Sequence, residues 1–266
     1  MPIVGPHLIE EYSRRDPVVA KTWRVIVDDI EIQELIRMSN VNAVLRMLYN
    51  DHGPVHVAIV SGVSLLMFDL LTNEGLTPSS LAQGVVKSVE HSKAILLLGA
   101  ALHDIGNAIH RHGHEELGAL LAYDITKRVV STVFPNEDPR LYYRMASEVA
   151  NIVYSSAPGV SALTVESSIV KIADGTDMAE GRARVPYSRG KTDMHALSAL
   201  SIKRVEVNRG ERPIHIKVYM DSSAGFFQIE HVLLPKIRGT ILQSYVEITP
   251  ILIEDGKLRT LSRLYP

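Results

Sequence analysis

The 266-residue sequence contains no cysteine, so disulfide bonds and thiolate metal sites are both excluded. It also lacks an excess of charge of one sign, since 28 Lys and Arg residues face 30 Asp and Glu residues. Nothing in this balance indicates binding to a nucleic-acid backbone. The sequence has four glutamines, and this scarcity, like the absence of cysteine, is typical of proteins from thermophilic sources. The missing cysteines equally fit a reducing cell interior.

The chain also lacks recognisable targeting and membrane segments. The first six residues have neither a basic nor an extended apolar region, so we expect no signal peptide. The longest apolar stretches are interrupted by Lys, Glu, His or Asp before they reach transmembrane length. We therefore expect a soluble, cytoplasmic protein with no membrane partner. Hydrophobic residues make up 46% of the chain, enough for a substantial core in one large domain or two.

The first two-thirds of the sequence has apolar residues at spacings of three and four, which predicts helices. From Glu180 to Asp193 the composition shifts to Gly, Arg, Pro, Ser and Lys, which indicates a loop or linker. The predicted helices span residues 18–38, 41–49, 54–72, 78–102, 114–131, 137–154 and 164–175.

After about residue 200 the apolar residues recur at every second position. Val205 and Val207 alternate with polar neighbours, and a second alternating run extends from Ile214 to Met220. The turn Asn208-Arg209-Gly210 separates the two runs, so the pattern predicts a β-hairpin.

An amphipathic helix over residues 224–238 and a third strand over 244–253 are predicted after the hairpin. The predicted fold class is therefore mostly α. A helical domain would occupy residues 1–190, and a small α+β unit of hairpin, helix and strand would occupy 200–266.

Four residues carry side chains that are suited to binding a metal. His103 and Asp104 end the apolar run from Ile95 to Leu102, where they would be buried or half-buried. Burial of such groups without partners costs free energy, and a divalent ion would compensate for it. His56 falls in the first turn of a predicted helix and Asp174 at the end of another. Side chains at helix ends can converge on one point, and two imidazoles with two carboxylates leave open positions on an octahedral ion.

A less specific interpretation of these residues stays open. A lone buried histidine is usually a hydrogen-bonded core residue, and a His-Asp dipeptide is common by chance. The apolar approach to the pair, the exit Asp104-Ile105-Gly106, and the spacing of His56 and Asp174 together favour a metal site.

The order His, then His-Asp, then Asp on a helical scaffold resembles the HD superfamily of metal-dependent phosphohydrolases. The resemblance covers roughly residues 45–185 and includes the strings Leu102-His103-Asp104-Ile105-Gly106 and Ile172-Ala173-Asp174-Gly175. It implies an HD-type helical bundle that binds a divalent metal ion, for which Mn, Mg, Co and Ni are the candidates. The segment from Ala173 to Arg182, together with the α+β tail, resembles an archaeal-type subgroup. The ligands implied by the resemblance are His56, His103, Asp104 and Asp174.

The histidine-rich segment from His110 to Glu116 contains a Gly-His-Glu string. Within the HD superfamily this string resembles the place where binuclear or substrate-binding members have another histidine, and His114 matches it. The alternative is a polar loop with solvated imidazoles. Binuclear members usually carry one more histidine on the following helix, but residues 149–156 contain none. This departure favours a single ion and argues against the di-iron oxygenase branch.

Three arginines, Arg111, Arg182 and Arg184, are candidates for binding a substrate phosphate, because guanidinium groups suit phosphate oxygens, and Arg182 is the preferred one. Arg111 lies beside the histidine-rich segment, and Arg182 follows Asp174 by eight residues. The alternative for each is an ordinary solvated arginine.

Three further residues lie close in sequence to the proposed ligands. His52 precedes His56 by four residues and is expected to contact the substrate phosphate, or else to be a structural residue at the helix entry. Asp177 is expected near the substrate or behind a ligand histidine, whose ring it would orient. Lys171 is interpreted as an ordinary surface residue.

These features predict a metal-dependent phosphohydrolase that acts on a phosphomonoester, a phosphodiester or a nucleotide through metal-activated water. Asp104 and His114 are the predicted catalytic residues, with His114 positioning the substrate or protonating the leaving group. Two alternatives stay open: a non-catalytic metal or nucleotide sensor whose C-terminal unit mediates dimerisation or signalling, and a helical scaffold with structural histidines. Amphipathic edges in the C-terminal unit leave a homodimer open.

Overall fold

The computed structural model describes residues 2–179 and 194–266, except for the side chains of His195 and Ala196. Among these residues a helical unit precedes a small α+β unit, so the predicted fold class is confirmed. The predicted linker from Glu180 to Asp193 lies outside the described residues, and the domain boundary there stays a prediction. The helices of the first unit are α1 (His7–Arg15), α2 (Pro17–Asp28), α3 (Ile30–Asn40), α4 (Pro54–Asn73), α5 (Ser79–Ala82), α6 (Val89–Leu102), α7 (His114–Val133), α8 (Pro139–Ser155) and α9 (Val165–Thr176).

Two long helices predicted from the sequence are each interrupted in the structure. The predicted helix over 18–38 breaks at Asp29, whose side chain accepts a hydrogen bond from the Ile32 amide and so begins a new helix. The predicted helix over 78–102 breaks near Gly84, which has a φ of +69°. Ser88 then begins α6 by accepting a hydrogen bond from the His91 amide.

Helices α4 and α6 form the centre of the helical unit. Both are apolar on nearly every face, and their side chains from Val60 to Phe68 and from Ala94 to Leu102 are mostly buried. Helix α4 is long and apolar enough to cross a membrane, but 61% of its most apolar stretch is buried inside the protein. That burial is typical of a core helix in a soluble protein. Each of the two helices has one end at the site described below.

The C-terminal unit begins with α10 (Met194–Ser201) and contains a four-stranded sheet in the order β1-β2-β3-β4. The predicted hairpin is confirmed, since β1 and β2 pair antiparallel with Val205 opposite Val218. β2 and β3 pair parallel, β3 and β4 pair antiparallel, and β4 was not predicted from the sequence. The strands are β1 (Ile202–Asn208), β2 (Ile214–Met220), β3 (Val246–Glu254) and β4 (Lys257–Thr260).

A helical segment connects β2 to β3 and packs against the first unit. It consists of α11 (Phe226–Gln228), a π-helical stretch (Ile229–Leu233) and α12 (Leu234–Arg238). Leu233 and Ile237 are completely buried, and α12 contacts α9. The segment therefore holds one side of the C-terminal unit against the helix that ends near Asp174.

The N-terminal residues join the two units on the other edge of the sheet. The Val4 amide donates to the Val205 carbonyl at 2.8 Å, and Ile3 pairs with Glu206 across an antiparallel bridge. The first residues of the chain therefore extend the C-terminal sheet beyond β1.

Candidate metal centre

The ends of three core helices bring the four proposed ligands together. His56 is the third residue of α4, after Gly53 and Pro54 have set the helix entry. His103 directly follows α6, and Asp104 begins a 3₁₀ turn (Ile105–Ala108). Asp174 lies in the last turn of α9.

The ligand atoms of these residues lie within a few ångströms of one another. Nε2 of His56 is 3.2 Å from Nε2 of His103, 3.3 Å from Oδ2 of Asp104 and 3.4 Å from Oδ1 of Asp174. Nε2 of His103 is 3.2 Å from Oδ2 of Asp104 and 3.8 Å from Oδ1 of Asp174. Adjacent ligands around an octahedral divalent ion are about 3 Å apart, which is close to these spacings.

Hydrogen bonds behind the two histidines determine which nitrogen faces the centre. Nδ1 of His56 lies 2.7 Å from Oδ2 of Asp177, and Nδ1 of His103 lies 2.8 Å from the Ala100 carbonyl oxygen. Because both neighbours are acceptors, both Nδ1 atoms carry a proton, and in the neutral rings the Nε2 lone pairs point to the same place.

Two lone pairs and two carboxylate oxygens thus converge in a buried space, with both imidazoles 1% exposed. Such a set of electron donors repels itself unless a cation lies among them. The donor set therefore fits a divalent metal ion, with ligand atoms of His56, His103 and Asp174 within 4.8 Å of one another and Asp104 beside them.

The 3₁₀ turn that carries Asp104 is fixed by polar contacts and by a close backbone approach. Asn107 donates its side-chain amide to the Asp104 carbonyl and to Oδ1 of its carboxylate, at 3.0 and 3.2 Å. The Asn42 amide in turn donates to the Asn107 carbonyl at 2.7 Å. At Gly106 an added Cβ would lie 1.9 Å from the His114 carbonyl oxygen, so only glycine lets the turn pack this closely on the start of α7.

The ionisation state of the Asp104 carboxyl group also fits a cation site. Burial by itself would raise the pKa of this carboxyl, but the neighbouring imidazoles of His103 and His52 outweigh it and hold the pKa well below its usual range. Asp104 is therefore an anion throughout the physiological pH range, as a metal ligand must be.

We expect the Asp177→Asn substitution to weaken Mn²⁺ binding by about 10- to 100-fold, the usual effect of removing a carboxylate that orients a ligand histidine. The asparagine amide would present either a donor or a weaker acceptor to Nδ1 of His56. Isothermal titration of metal-free protein with Mn²⁺ would measure the change. Asp28→Asn, at an exposed position on α2, is the matched control. Equal affinities in all three proteins would show that Asp177 does not orient His56.

A cavity of about 560 Å³ opens onto the centre. Met47, Tyr49, Pro158 and Val232 provide an apolar part of its wall. The polar part of the wall includes His103, Asp104, Asp174, His52, Arg111, His114, Glu115 and Lys236.

Arg111 lies between the two predicted substrate-binding histidines. Its Nη1 is 3.4 Å from Nε2 of His52 and 3.1 Å from Nε2 of His114, and it donates to Oδ1 of Asn107 at 3.2 Å. Nε2 of His52 lies 3.9 Å from Oδ2 of Asp104. The structure thus brings His52, Arg111 and His114 together at the cavity.

His114 is the first residue of α7 and is 6% exposed. Its Nδ1 lies 3.0 Å from the Arg111 carbonyl oxygen and 2.8 Å from Oε2 of Glu115, and its Nε2 lies 3.4 Å from Oδ1 of Asp104. Burial alone would lower the pKa of His114, but the contacts with Asp104 and Glu115 raise it to about 9. His114 is thus a proton donor at neutral pH that faces the cavity.

Asp177 is among the residues that the structure describes, whereas Arg182 is not. Asp177 lies behind His56 and lines a separate cavity of about 340 Å³, so its contact with His56 favours the orienting role over direct substrate contact. Arg184 also lies outside the described residues, and the substrate-binding role of both arginines stays a prediction.

The interpretation of Lys171 as a surface residue is wrong. Its side chain is 3% exposed, and its Nζ donates to the carbonyl oxygens of Ser155, Ala157 and Val160 at 2.8, 2.9 and 2.6 Å. Burial, with a smaller contribution from the nearby Lys236, lowers the pKa of Lys171 to about 8. Lys171 holds the loop after α8, whose Pro158 forms part of the cavity wall.

Sequence reasoning missed Lys236, which is on α12 of the C-terminal unit. Its ammonium forms an ion pair with Oδ2 of Asp174, and its side chain lines the cavity. The local sequence gives no signal for this contact, because 62 residues separate the two partners.

The helical fold and the cluster of two histidines and two aspartates define a helical protein with a candidate metal centre. Residues 62–179 match the family model described as the HD domain. The chain is 38% identical over 240 residues to an uncharacterized protein of Methanocaldococcus jannaschii, covering 90% of this chain and 91% of that one. The chain belongs to the HD domain family. His56 precedes the matched range, and no solved structure matches the chain.

Proposed function

We propose that this protein is a metal-dependent phosphohydrolase that acts on a phosphomonoester, a phosphodiester or a nucleotide. The observation that carries the proposal is the convergence of two Nε2 lone pairs and two carboxylates below a cavity lined by cationic side chains. Membership of the HD domain family supports the same reaction class.

His56, His103, Asp104 and Asp174 would hold the divalent ion. Imidazole and carboxylate ligands suit Mn, Mg, Co or Ni, and the absence of thiolates disfavours softer metals. When bound, the ion would supply Lewis-acid stabilisation of the phosphoryl oxygens and would lower the pKa of a coordinated water.

The position of Arg111 favours one ion per chain. The guanidinium lies among His52, His114 and Asn107, and the last two of these contact Oδ1 of Asp104. A second divalent ion at this place would lie against a fixed positive charge and would be repelled by it. Arg111 is instead suited to donate to a non-bridging phosphate oxygen.

His114 is the group best placed to protonate the leaving group. In the proposed step the oxygen of a water molecule bonds to phosphorus while the bond from phosphorus to the leaving-group oxygen breaks. Once the Arg111 guanidinium, 3.1 Å from Nε2 of His114, has turned to the phosphate, the Nε2 proton of His114 goes to that oxygen, and the proton released by the water restores His114 to its charged form. Asp104 lies 3.4 Å from His114 and keeps the imidazolium favoured until transfer.

We further propose that the substrate is a soluble phosphorylated small molecule or nucleotide and that the protein works in the cytoplasm. The net charge of −2 supports neither a nucleic-acid nor a membrane partner. A homodimer stays a prediction.

The test is to purify the protein, determine its metal content, and assay phosphoesters and a panel of nucleotides with each added metal and with EDTA. We expect phosphate or nucleoside release that depends on Mn²⁺, Mg²⁺, Co²⁺ or Ni²⁺ and that EDTA abolishes. Strong thermal stabilisation by a nucleotide without product would support the sensor instead. A protein that binds no metal would support a purely structural role for the histidines.

A further inference from the structure

The C-terminal unit reaches the metal centre through Lys236. The two oxygens of Asp174 face different partners: Oδ1 lies 3.4 Å from Nε2 of His56, and Oδ2 pairs with the Lys236 ammonium. The carboxylate can therefore hold an ion through Oδ1 while it keeps the lysine on Oδ2. The ammonium is then one carboxylate away from the ion.

The path of the Lys236 side chain is determined by packing. Leu233 and Ile237, which flank it on the helical segment, are completely buried. Its stem crosses α9 at Gly175, where an added Cβ would lie 3.0 Å from Cδ of Lys236 and 3.1 Å from a methyl carbon of Leu233. Packing against Gly175 and Leu233 therefore directs the Lys236 side chain toward Asp174. A lysine that pairs by chance with a surface carboxylate would lack such packing.

The ammonium also faces the cavity. Its side chain is 24% exposed and lines the same cavity as Arg111 and His114. An ammonium has three N–H donors, and Asp174 takes one of them, so a phosphate oxygen can take another. A compact charge of this kind suits a phosphate group beside a metal ion.

We propose that Lys236 is a substrate-positioning residue, supplied by the C-terminal unit, whose ammonium binds a non-bridging phosphate oxygen of the substrate. This inference rests on the proposed phosphohydrolase function and deepens it. The C-terminal unit is then part of the catalytic site, and the helical unit alone provides an incomplete one.

The test compares Lys236→Met, Lys236→Arg and the control Arg238→Met, which removes an exposed charge from the same helix. Titration of each Mn²⁺-loaded protein with inorganic phosphate gives a Kd that does not depend on turnover. We expect Lys236→Met to weaken phosphate binding by about 10- to 100-fold, as loss of a charge-assisted hydrogen bond does. Lys236→Arg should recover part of the loss, and Arg238→Met should bind phosphate as the wild type does.

A second measurement separates substrate positioning from simple neutralisation of Asp174. Lys236→Met should raise KM for p-nitrophenyl phosphate more than it lowers kcat, with Mn²⁺ affinity changed by only a few-fold. A changed Mn²⁺ affinity with an unchanged phosphate Kd would overturn the inference and leave the proposed function standing. A wild-type protein that neither binds phosphate nor hydrolyses phosphoesters would overturn both. If Lys236→Met does not fold, Lys236→Gln is measured in the same way.

Discussion

Replacement of Asp104 by asparagine is expected to lower metal-dependent phosphoester turnover by about 1,000-fold or more. Asp104 lies within 3.3 Å of the Nε2 atoms of both ligand histidines, so the substitution removes a charged ligand from the centre. Loss of the Lewis-acid contribution of a metal ion raises the barrier by several kcal/mol, and about 4 kcal/mol corresponds to this factor. The measurement is kcat/KM at the Mn²⁺ concentration that saturates the wild type.

Two controls distinguish this effect from a folding defect. Asp124→Asn removes an aspartate whose side chain is 78% exposed on α7, and it should leave turnover unchanged. Thermal unfolding of Asp104→Asn and of the wild type in EDTA compares the folds without a contribution from metal binding. Undiminished turnover of Asp104→Asn, with unchanged Mn²⁺ affinity, would contradict the assignment of Asp104 as a ligand.

The sequence could single out the proposed ligands because they lie at changes in the local pattern. His103 and Asp104 end an apolar run that becomes the buried helix α6, and Asp174 comes at the end of α9. The sequence did not establish that these points meet, because that depends on how α4, α6 and α9 pack. The structure shows this packing, in which the ends of the three helices lie around one cavity.

Lys171 shows why a helical pattern can mislead. The periodicity of residues 164–175 predicts one apolar face and one solvent face, with Lys171 on the solvent face. In the structure α9 is enclosed by α4, α6, α8 and the C-terminal unit, so its polar side is also buried. Glu166 on the same helix is 0% exposed and accepts hydrogen bonds from the Ser79 and Ser80 amides. Such burial depends on neighbours that are distant in sequence.

The sequence pattern also fails to predict the helix break at Asp29 and the short strand β4. Asp29 begins α3 by capping, although the apolar spacing continues through it and suggests one helix. Strand β4 (Lys257–Thr260) is exposed at all four residues and has no apolar alternation to reveal it. It is formed by hydrogen bonding to β3, with Ile253 opposite Leu258 across the turn.

Replacement of His114 by glutamine is expected to slow hydrolysis of an alkyl phosphoester by about 100- to 10,000-fold, the usual contribution of a general acid. The effect on p-nitrophenyl phosphate should be much smaller, because p-nitrophenolate leaves without being protonated. This dependence on the leaving group distinguishes an acid from a residue that only shapes the cavity. His112→Gln, at an exposed position two residues earlier, is the control and should leave both substrates unaffected.

The pH profile gives a second readout for the same residue. The active form of His114 is the imidazolium, so turnover of the alkyl ester should fall as the pH rises through its pKa. The pKa is about 9, since contacts with Asp104 and Glu115 outweigh burial and the nearby Arg111. A divalent ion on Asp104 competes for the same negative charge, so the decline in the loaded enzyme should lie between the ordinary 6.5 and 9. His114→Gln should lack this decline, and a decline retained in the variant would assign the acid to another group.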